Sequence, residues 1–425
     1  MVAGWGARPR IPTVDLRSDR PGRDRRSEGK PLTTSRFRPS TRRAMWMAAA
    51  AVTVCSVAAC ETAGTSAAPG AEGTAIVRAL DTVTQRGLPG AQVVITEHGR
   101  DRTMTSGVGD GATGARFPDG AHIRIGSNTK TFVSVVLAQL VAEGQVDLDA
   151  PVERYLPGVV RGNGNDGNRV TVRNLLQHTS GLPDYIPSGD PAALARANPA
   201  QLRVDREAVR QQYYAPADLV ARAMTMPPRF EPGAKSVYTN TNYIVLGMLI
   251  ERVTGRPIAT EIDRRILAPL GLRDTYFPAA DDTGLREPHA QGYDIADGKR
   301  IDVTAENTSW AWAAGAMVST GADMNRFFTA LLGGKLVPPA QLAEMRKTMP
   351  WDRDSGGYGL GLIHIPVSCG KDVWGHGGSI FGFETHNGVT ADGRAVTLTV
   401  NELPRDQSDM DIITKAFDTA ICAAS

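Results

Sequence analysis

Arg124-Ile125-Gly126-Ser127-Asn128-Thr129-Lys130-Thr131-Phe132-Val133-Ser134-Val135-Val136 is the stretch that decides the fold. A glycine leads into a serine, a lysine follows three positions on, and an apolar run continues to Gly144. That pattern predicts a buried helix with a glycine stop. Positions i and i+3 of a helix meet, so Ser127 and Lys130 share a face. A serine hydroxyl is a weak nucleophile and needs a base held against it. A lysine one turn away, with apolar residues behind it, serves as that base or supports another. Ser27-Glu28-Gly29-Lys30 has the same spacing but lies in a basic leader without such surroundings.

Two further segments suit acyl transfer. Tyr238-Thr239-Asn240 is the single Tyr-x-Asn of the chain and sits in a polar loop before an apolar stretch, Tyr243–Thr254, closed by Gly255. A phenol beside a lysine ammonium has its pKa lowered by the charge, which suits it to shuttle the serine proton. Asn240 offers an amide that donates and accepts toward a peptide-like backbone. Trp374-Gly375-His376-Gly377-Gly378-Ser379 falls on or just before a late strand, where glycines let a substrate backbone approach closely. The backbone N–H of Ser379 is expected to join that of Ser127 as an oxyanion donor, with His376 beside the substrate.

Residues 1–43 carry 12 Lys and Arg against 4 Asp and Glu, and are expected to form a disordered basic leader. Arg42-Arg43 then abuts the apolar run 44–59, which ends Val57-Ala58-Ala59-Cys60. A charged start, a short apolar core and small residues before a cut site make an export signal. The run is shorter than the ~20 residues of a membrane-spanning helix. Its final cysteine predicts a lipoprotein signal over 44–60 with Cys60 lipidated, so that a lipid at Cys60 is the only expected membrane contact. Thr41-Arg42-Arg43 also resembles a twin-arginine signal. Segment 61–75 is small and polar, as a tether should be.

Without the leader, residues 60–425 hold 35 basic and 41 acidic side chains, a net charge of about −6. No basic patch argues for nucleic acid. Cys369 and Cys422 remain as an even pair in an exported chain, so a disulfide is expected. No Cys or His spacing marks a metal site, and no cofactor is expected. The exported part reads as a catalytic domain over 76–425: an α/β lobe at about 76–145 and 311–425, interrupted by a helical lobe at about 146–310. Strands are expected at Gly90–Thr96, Ile123–Ile125, Gly359–Ile365, Phe381–His386 and Ala395–Val400, with a closing helix near 408–422. Ser127 then lies where two lobes meet, a favoured place for a site.

Together, Ser127-x-x-Lys130, Tyr238-x-Asn240 and His376-x-Gly378 resemble the signatures of the serine penicillin-recognising hydrolases. The nearest likeness is to the Streptomyces-type D-Ala-D-Ala carboxypeptidases, in the group that also contains class C beta-lactamases. It extends over nearly all of 76–425 and includes Leu175-Leu176-Gln177-His178-Thr179-Ser180-Gly181-Leu182, Ser309-Trp310-Ala311 and Gly359-Leu360-Gly361-Leu362. The resemblance implies an α/β (α+β) fold, with an antiparallel sheet flanked by helices plus an all-helical lobe. It implies acylation of Ser127, proton traffic through Lys130 and Tyr238, and substrate binding by Asn240, His376, Gly378 and Ser379, with Trp310 at the pocket mouth. Two positions depart from the carboxypeptidase pattern: Gly377 stands for a threonine and Ile363 for an arginine, both of which serve a substrate's free carboxylate.

The expectation is therefore a monomeric serine D-Ala-D-Ala carboxypeptidase acting on small peptide or peptidoglycan-like substrates, with beta-lactams as acylating ligands. A beta-lactamase, an esterase or a D-amino-acid amidase on the same site is the alternative, or a penicillin-binding module without turnover.

Overall fold

The computed structural model describes residues 71–186, 210–351 and 356–423. The leader, the signal segment, Cys60 and residues 61–70 of the tether lie outside the described residues. The remainder of the tether does not hold as expected: helix α1 runs Ala71–Gln85. Ile76, Leu80 and Val83, one helical turn apart in succession, are fully buried along one side.

The frame of the molecule is an antiparallel sheet. Its strands are β1 (Gly90–Glu97), β2 (Arg100–Gly107), β5 (Met349–Pro350), β6 (Gly357–Tyr358), β7 (Ile363–His364), β8 (Val373–Ile380), β9 (Phe383–Thr390) and β10 (Ala395–Val400). They lie in the order β2-β1-β10-β9-β8-β7-β6-β5. A small separate pair joins β3 (Ile123–Arg124) to β4 (Val318–Ser319), Arg124 opposite Val318. Beyond β3 lie helices α2 (Thr129–Ala142), α3 (Val172–Leu176), α4 (Pro216–Ala223) and α5 (Asn240–Thr254), then α6 (Gly321–Leu332) and α7 (Gln407–Cys422).

Helices cover both faces of the sheet, which explains why β1 is buried at successive positions rather than at alternate ones. Val93, Ile95 and Leu398 pack with Ile76 and Leu80 of α1 and with Ile413 and Phe417 of α7. On the other face, Asn325 of α6 donates to Val94 O at 2.9 Å and accepts from Thr397 Oγ1 at 2.7 Å. Arg394 binds the first and last helices to one another. It is buried, paired with Glu72 at 2.8 Å, and donates to Ala420 O at 2.8 Å.

Helix α2 is buried on every side, as an apolar helix should be in a core. Phe132 stacks on Phe327 of α6 with ring centroids 3.7 Å apart. Gly144, at φ +71, stops it.

Segment 146–310 is helical only in part. It contains two hairpins, Arg161–Gly162 with Asn165–Asp166 and Tyr293–Ala296 with Lys299–Asp302. The second belongs beside the sheet: Tyr293 bridges Glu402, and Arg300 pairs with Glu402 at 2.6 Å. The expected strand Gly359–Ile365 shortens to Ile363–His364. Gly361 turns at φ +75 and gives its carbonyl to Thr131 Oγ1 at 2.8 Å, so this stretch docks on α2 before it can pair.

Candidate active site

The site forms where the head of α2 meets β8, the loop ahead of α5 and the Ala314 turn. Ser127 sits in a short 3-10 turn, Gly126–Asn128, ahead of α2, and is half-buried. Gly126 has φ +50, and a Cβ there would stand 3.0 Å from Ser379 N. A Cβ at Gly378 would lie 2.0 Å from Ile125 O and 2.9 Å from Ser127 N. Strand β8 therefore presses on the turn carrying the serine, and only glycine permits that approach. Asn128 Nδ2 fastens the junction by donating to Thr385 Oγ1 of β9 at 2.7 Å.

Lys130 is fully buried, and its ammonium donates in three directions: to Ser127 Oγ at 3.0 Å, Asn240 Oδ1 at 2.9 Å and Ala314 O at 2.6 Å. Burying an ammonium without such partners is costly, so these three acceptors hold it in place. The Tyr238 ring centroid lies 4.8 Å from Lys130 Nζ, within cation–π range. Ser127, Lys130, Tyr238, Asn240, Gly378 and Ser379 are thus gathered in one place.

Asp184, which sequence reasoning missed, fixes Asn240. One carboxylate oxygen accepts from Asn240 N at 2.9 Å and from Asn240 Nδ2 at 3.2 Å. The other accepts from Ile186 N at 3.0 Å. Burial raises the Asp184 pKa, while the hydrogen bonds from the Asn240 and Ile186 backbones oppose the shift. Lys130, Asn240 and Asp184 form a cation–amide–anion chain that leaves the Asn240 amide one orientation.

His376, expected beside the substrate, is buried. Side chains alternate along a strand, and on β8 Gly377 and Ser379 are half-buried on one face while His376 and Gly378 are buried on the other. The imidazole gives its Nδ1 proton to Gly377 O at 2.6 Å, and Nε2 accepts from Tyr358 Oη at 3.0 Å. Burial lowers its pKa to about 3, leaving a neutral ring with both nitrogens engaged.

Trp310 is likewise a core residue rather than a pocket mouth. Its indole donates to Glu306 Oε1 at 2.7 Å and its ring lies 5.5 Å from Phe381. Burial pushes Glu306 up to about 7, opposed by Arg124, whose Nε is 3.7 Å away. Trp310 still serves the site from behind, because its carbonyl accepts from Tyr185 Oη at 2.6 Å just ahead of the Ala314 turn.

Tyr238, Tyr358 and Ile363 pack together, with Trp351 and Ile365 against them. An isoleucine thus occupies the neighbourhood of Tyr238 where the carboxypeptidase pattern has an arginine. Cys369 and Cys422 form the expected disulfide, Cα–Cα 5.7 Å, between the β7–β8 loop and the end of α7. A surface cavity of about 450 Å³, lined in part by Arg273, Tyr276 and Arg286, shares none of the site residues.

The sheet flanked by helices, with a serine–lysine pair at the head of a buried helix, defines a serine hydrolase class. The chain belongs to the beta-lactamase family, whose profile matches residues 73–420. It is 38% identical to a D-stereospecific amidohydrolase from a Streptomyces species, with a TM-score of 0.73 over 84% of this chain and all of that one. It is also similar to esterase EstB of Burkholderia gladioli, at 31% identity over 49% of this chain and 52% of that protein. The carboxypeptidase/endopeptidase AmpH of Escherichia coli matches at 28% identity over 54% of each chain. The chain thus spans about half the length of these two curated relatives.

Proposed function

We propose that the protein is an exported acyl-enzyme hydrolase that cleaves amides and esters of D-amino acids lacking a free carboxylate next to the scissile bond. The observation that carries this reading is the single ammonium of Lys130 on Ser127 Oγ, at 3.0 Å, beside the Tyr238 ring. Ser127 Oγ attacks the acyl carbon and loses its proton to Tyr238, whose phenolate the Lys130 charge stabilises. The N–H groups of Ser127 and Ser379 receive the oxyanion. Tyr238 returns the proton to the departing amine or alcohol. Water then attacks the acyl carbon, giving a proton to Tyr238, which passes it to Ser127 Oγ as the acid departs. Asn240 presents its amide to the substrate backbone.

The preference for neutral leaving groups rests on Gly377 and Ile363. His376, kept neutral by burial and bonded to Gly377 O and Tyr358 Oη, offers a substrate carboxylate no charge. The similarity to a D-stereospecific amidohydrolase supports the same choice. A cell-wall D-Ala-D-Ala carboxypeptidase is the second reading, favoured by the similarity to AmpH. Export and lipidation at Cys60 complete the proposal. Among the described residues no helix is long and apolar enough to cross a membrane.

The test compares hydrolysis of D-phenylalaninamide, a D-alanine nitrophenyl ester, a chromogenic cephalosporin and acetylated Lys-D-Ala-D-Ala. The amide and the ester should turn over fastest, all through Ser127. Faster release of D-alanine from the peptide transfers the case to the carboxypeptidase, and rapid cephalosporin opening transfers it to a beta-lactamase. A stable penicillin adduct without turnover of any substrate leaves only a binding module.

A further inference from the structure

His178 lies in a segment that the proposed chemistry does not use, yet its conformation is unusual. It is a non-glycine residue with φ +57, and it is fully buried. Side chains are rarely held in the left-handed region without a reason in the surroundings. Here the surroundings are the loop that carries Tyr238. His178 O accepts from Val237 N at 2.9 Å, Thr179 O from Gly233 N at 2.7 Å, and Gly181 O from Arg229 N at 2.7 Å. Arg229 closes the loop by donating from Nη1 to Tyr238 O at 3.2 Å. Segment 178–181 is a backbone strap beneath residues 229–239.

The side chain extends that hold to the reacting ring. The imidazole centroid is 4.2 Å from that of Tyr238, with planes 37° apart, and 4.6 Å from Tyr358 edge to face. Its Nδ1 faces two donors, Thr239 N at 3.3 Å and Asn242 Nδ2 at 3.2 Å. Accepting from both places the ring proton on Nε2. Asn242 is itself fixed, since its Oδ1 accepts from Ser180 Oγ at 2.7 Å. The peptide that follows Tyr238 and the face of its ring are therefore set by one residue.

We propose that His178 is a positioning residue for the proton shuttle, holding the Tyr238 phenol in register with Ser127 and Lys130 by stacking on its ring and accepting from the next peptide. The inference rests on the reading of Tyr238 as the shuttle. The left-handed backbone gives a discriminating substitution: glycine adopts φ +57 without strain, so His178→Gly removes the ring while relieving the backbone. His178→Asn, also tolerant of this region, keeps a short acceptor without the ring.

Acylation by labelled penicillin and by a D-amino-acid nitrophenyl ester is followed against pH, normalised to titratable Ser127, in wild type, both His178 variants, Tyr238→Phe and His178→Gly/Tyr238→Phe. Melting curves are recorded beside the kinetics. We expect His178→Gly to slow acylation on the order of 100-fold, with KM nearly constant and a displaced pH profile, and His178→Asn to lie between it and wild type. In the Tyr238→Phe background the same change should cost no more than about threefold. A rate per active serine that survives in both His178 variants, with only the melting temperature reduced, overturns the inference and leaves the shuttle intact. Equal losses in both backgrounds overturn it as well. A Tyr238→Phe enzyme as fast as wild type removes the shuttle itself, and the inference with it.

Discussion

The amide of Asn240 is fixed against the buried carboxylate of Asp184, which takes both its backbone and its side-chain N–H and so aims Oδ1 at Lys130. Asp184→Ala removes that anchor and strands three buried donors, Asn240 N, Asn240 Nδ2 and Ile186 N, a loss of roughly 1–3 kcal/mol of stability for each that finds no other partner. Lys130 also loses the fixed orientation of one of the three acceptors that hold it. Asp184→Ala should therefore raise KM and slow acylation together, while Asp184→Asn should retain more of both. Urea unfolding and single-turnover acylation measure the two effects. Wild-type acylation in Asp184→Ala would show that Asn240 needs no such support.

Strand β8 touches the serine turn through a residue with no side chain. Gly378→Ala places a methyl group 2.0 Å from Ile125 O and 2.9 Å from Ser127 N, both backbone atoms that cannot rotate away. The strand must move off the turn, and the oxyanion donors of Ser127 and Ser379 separate. Loss of one such donor costs about 100- to 1,000-fold in rate, and acylation should fall by at least that much. Gly377→Ala is the control, because a methyl there meets only Thr385 O at 3.3 Å. Comparable rates in the two variants would count against a close β8 contact.

The corner beside Tyr238 should accept a new specificity. Ile363→Arg puts a guanidinium where Ile363 packs with Tyr238 and Tyr358. A cation there favours a substrate carboxylate. The ratio of D-alanine release to D-amino-acid amide hydrolysis should rise at least tenfold, equivalent to about 1.4 kcal/mol of discrimination. An unchanged ratio in a folded variant would place the carboxylate subsite elsewhere.

Stability against acid should carry the mark of His376. An exposed histidine takes its proton near 6.5, whereas burial delays this ring to about 3. Between those values the unfolded chain binds the extra proton, so stability falls as the pH drops through the window. Glu306 acts in the opposite sense: burial raises it from 4.5 to about 7, so its folded form keeps a proton the unfolded chain has released, and stability falls as pH rises through that range. His376→Asn should flatten the acid-side decline without touching the Glu306 slope. Denaturant midpoints at pH 7, 5.5 and 4 decide it, parallel loss in both proteins being the contrary result.

Removal of the Cys369–Cys422 bridge, which closes 53 residues of chain, should lower stability by about 4 kcal/mol in the chain-entropy account. It should leave acylation of Ser127 unchanged, since neither cysteine joins the network around Lys130. Thermal melting of Cys369→Ser/Cys422→Ser with and without reductant measures the first point, and penicillin labelling the second.

What was legible in the sequence is what local chemistry dictates. The meeting of Ser127 with Lys130, the apolar run of α2 and the glycine stop at 144 read correctly, although Ser127 sits in a 3-10 turn just ahead of the helix. Helix α1 was equally legible from Ile76, Leu80 and Val83 but was obscured by the small residues before it. Strand β2 was not, because an edge strand of Arg100-Asp101-Arg102-Thr103 has no apolar alternation to show. The inward turn of His376 depends on which face of β8 meets the core, and a one-residue change of register inverts that choice. Asp184 and His178 act through partners 56 and 61 residues away. No local pattern announces such contacts.

Glu72 and Ala420 are brought to a common guanidinium at Arg394, and this sets how far the protein can be trimmed. A shortened version beginning near residue 70 retains the clasp. One beginning at Gly90, the first residue of the sheet, would shed helix α1, bare the apolar side of α7 and invite aggregation. Helices α1 and α7 thus behave as a single fastening, to be kept or lost as a unit.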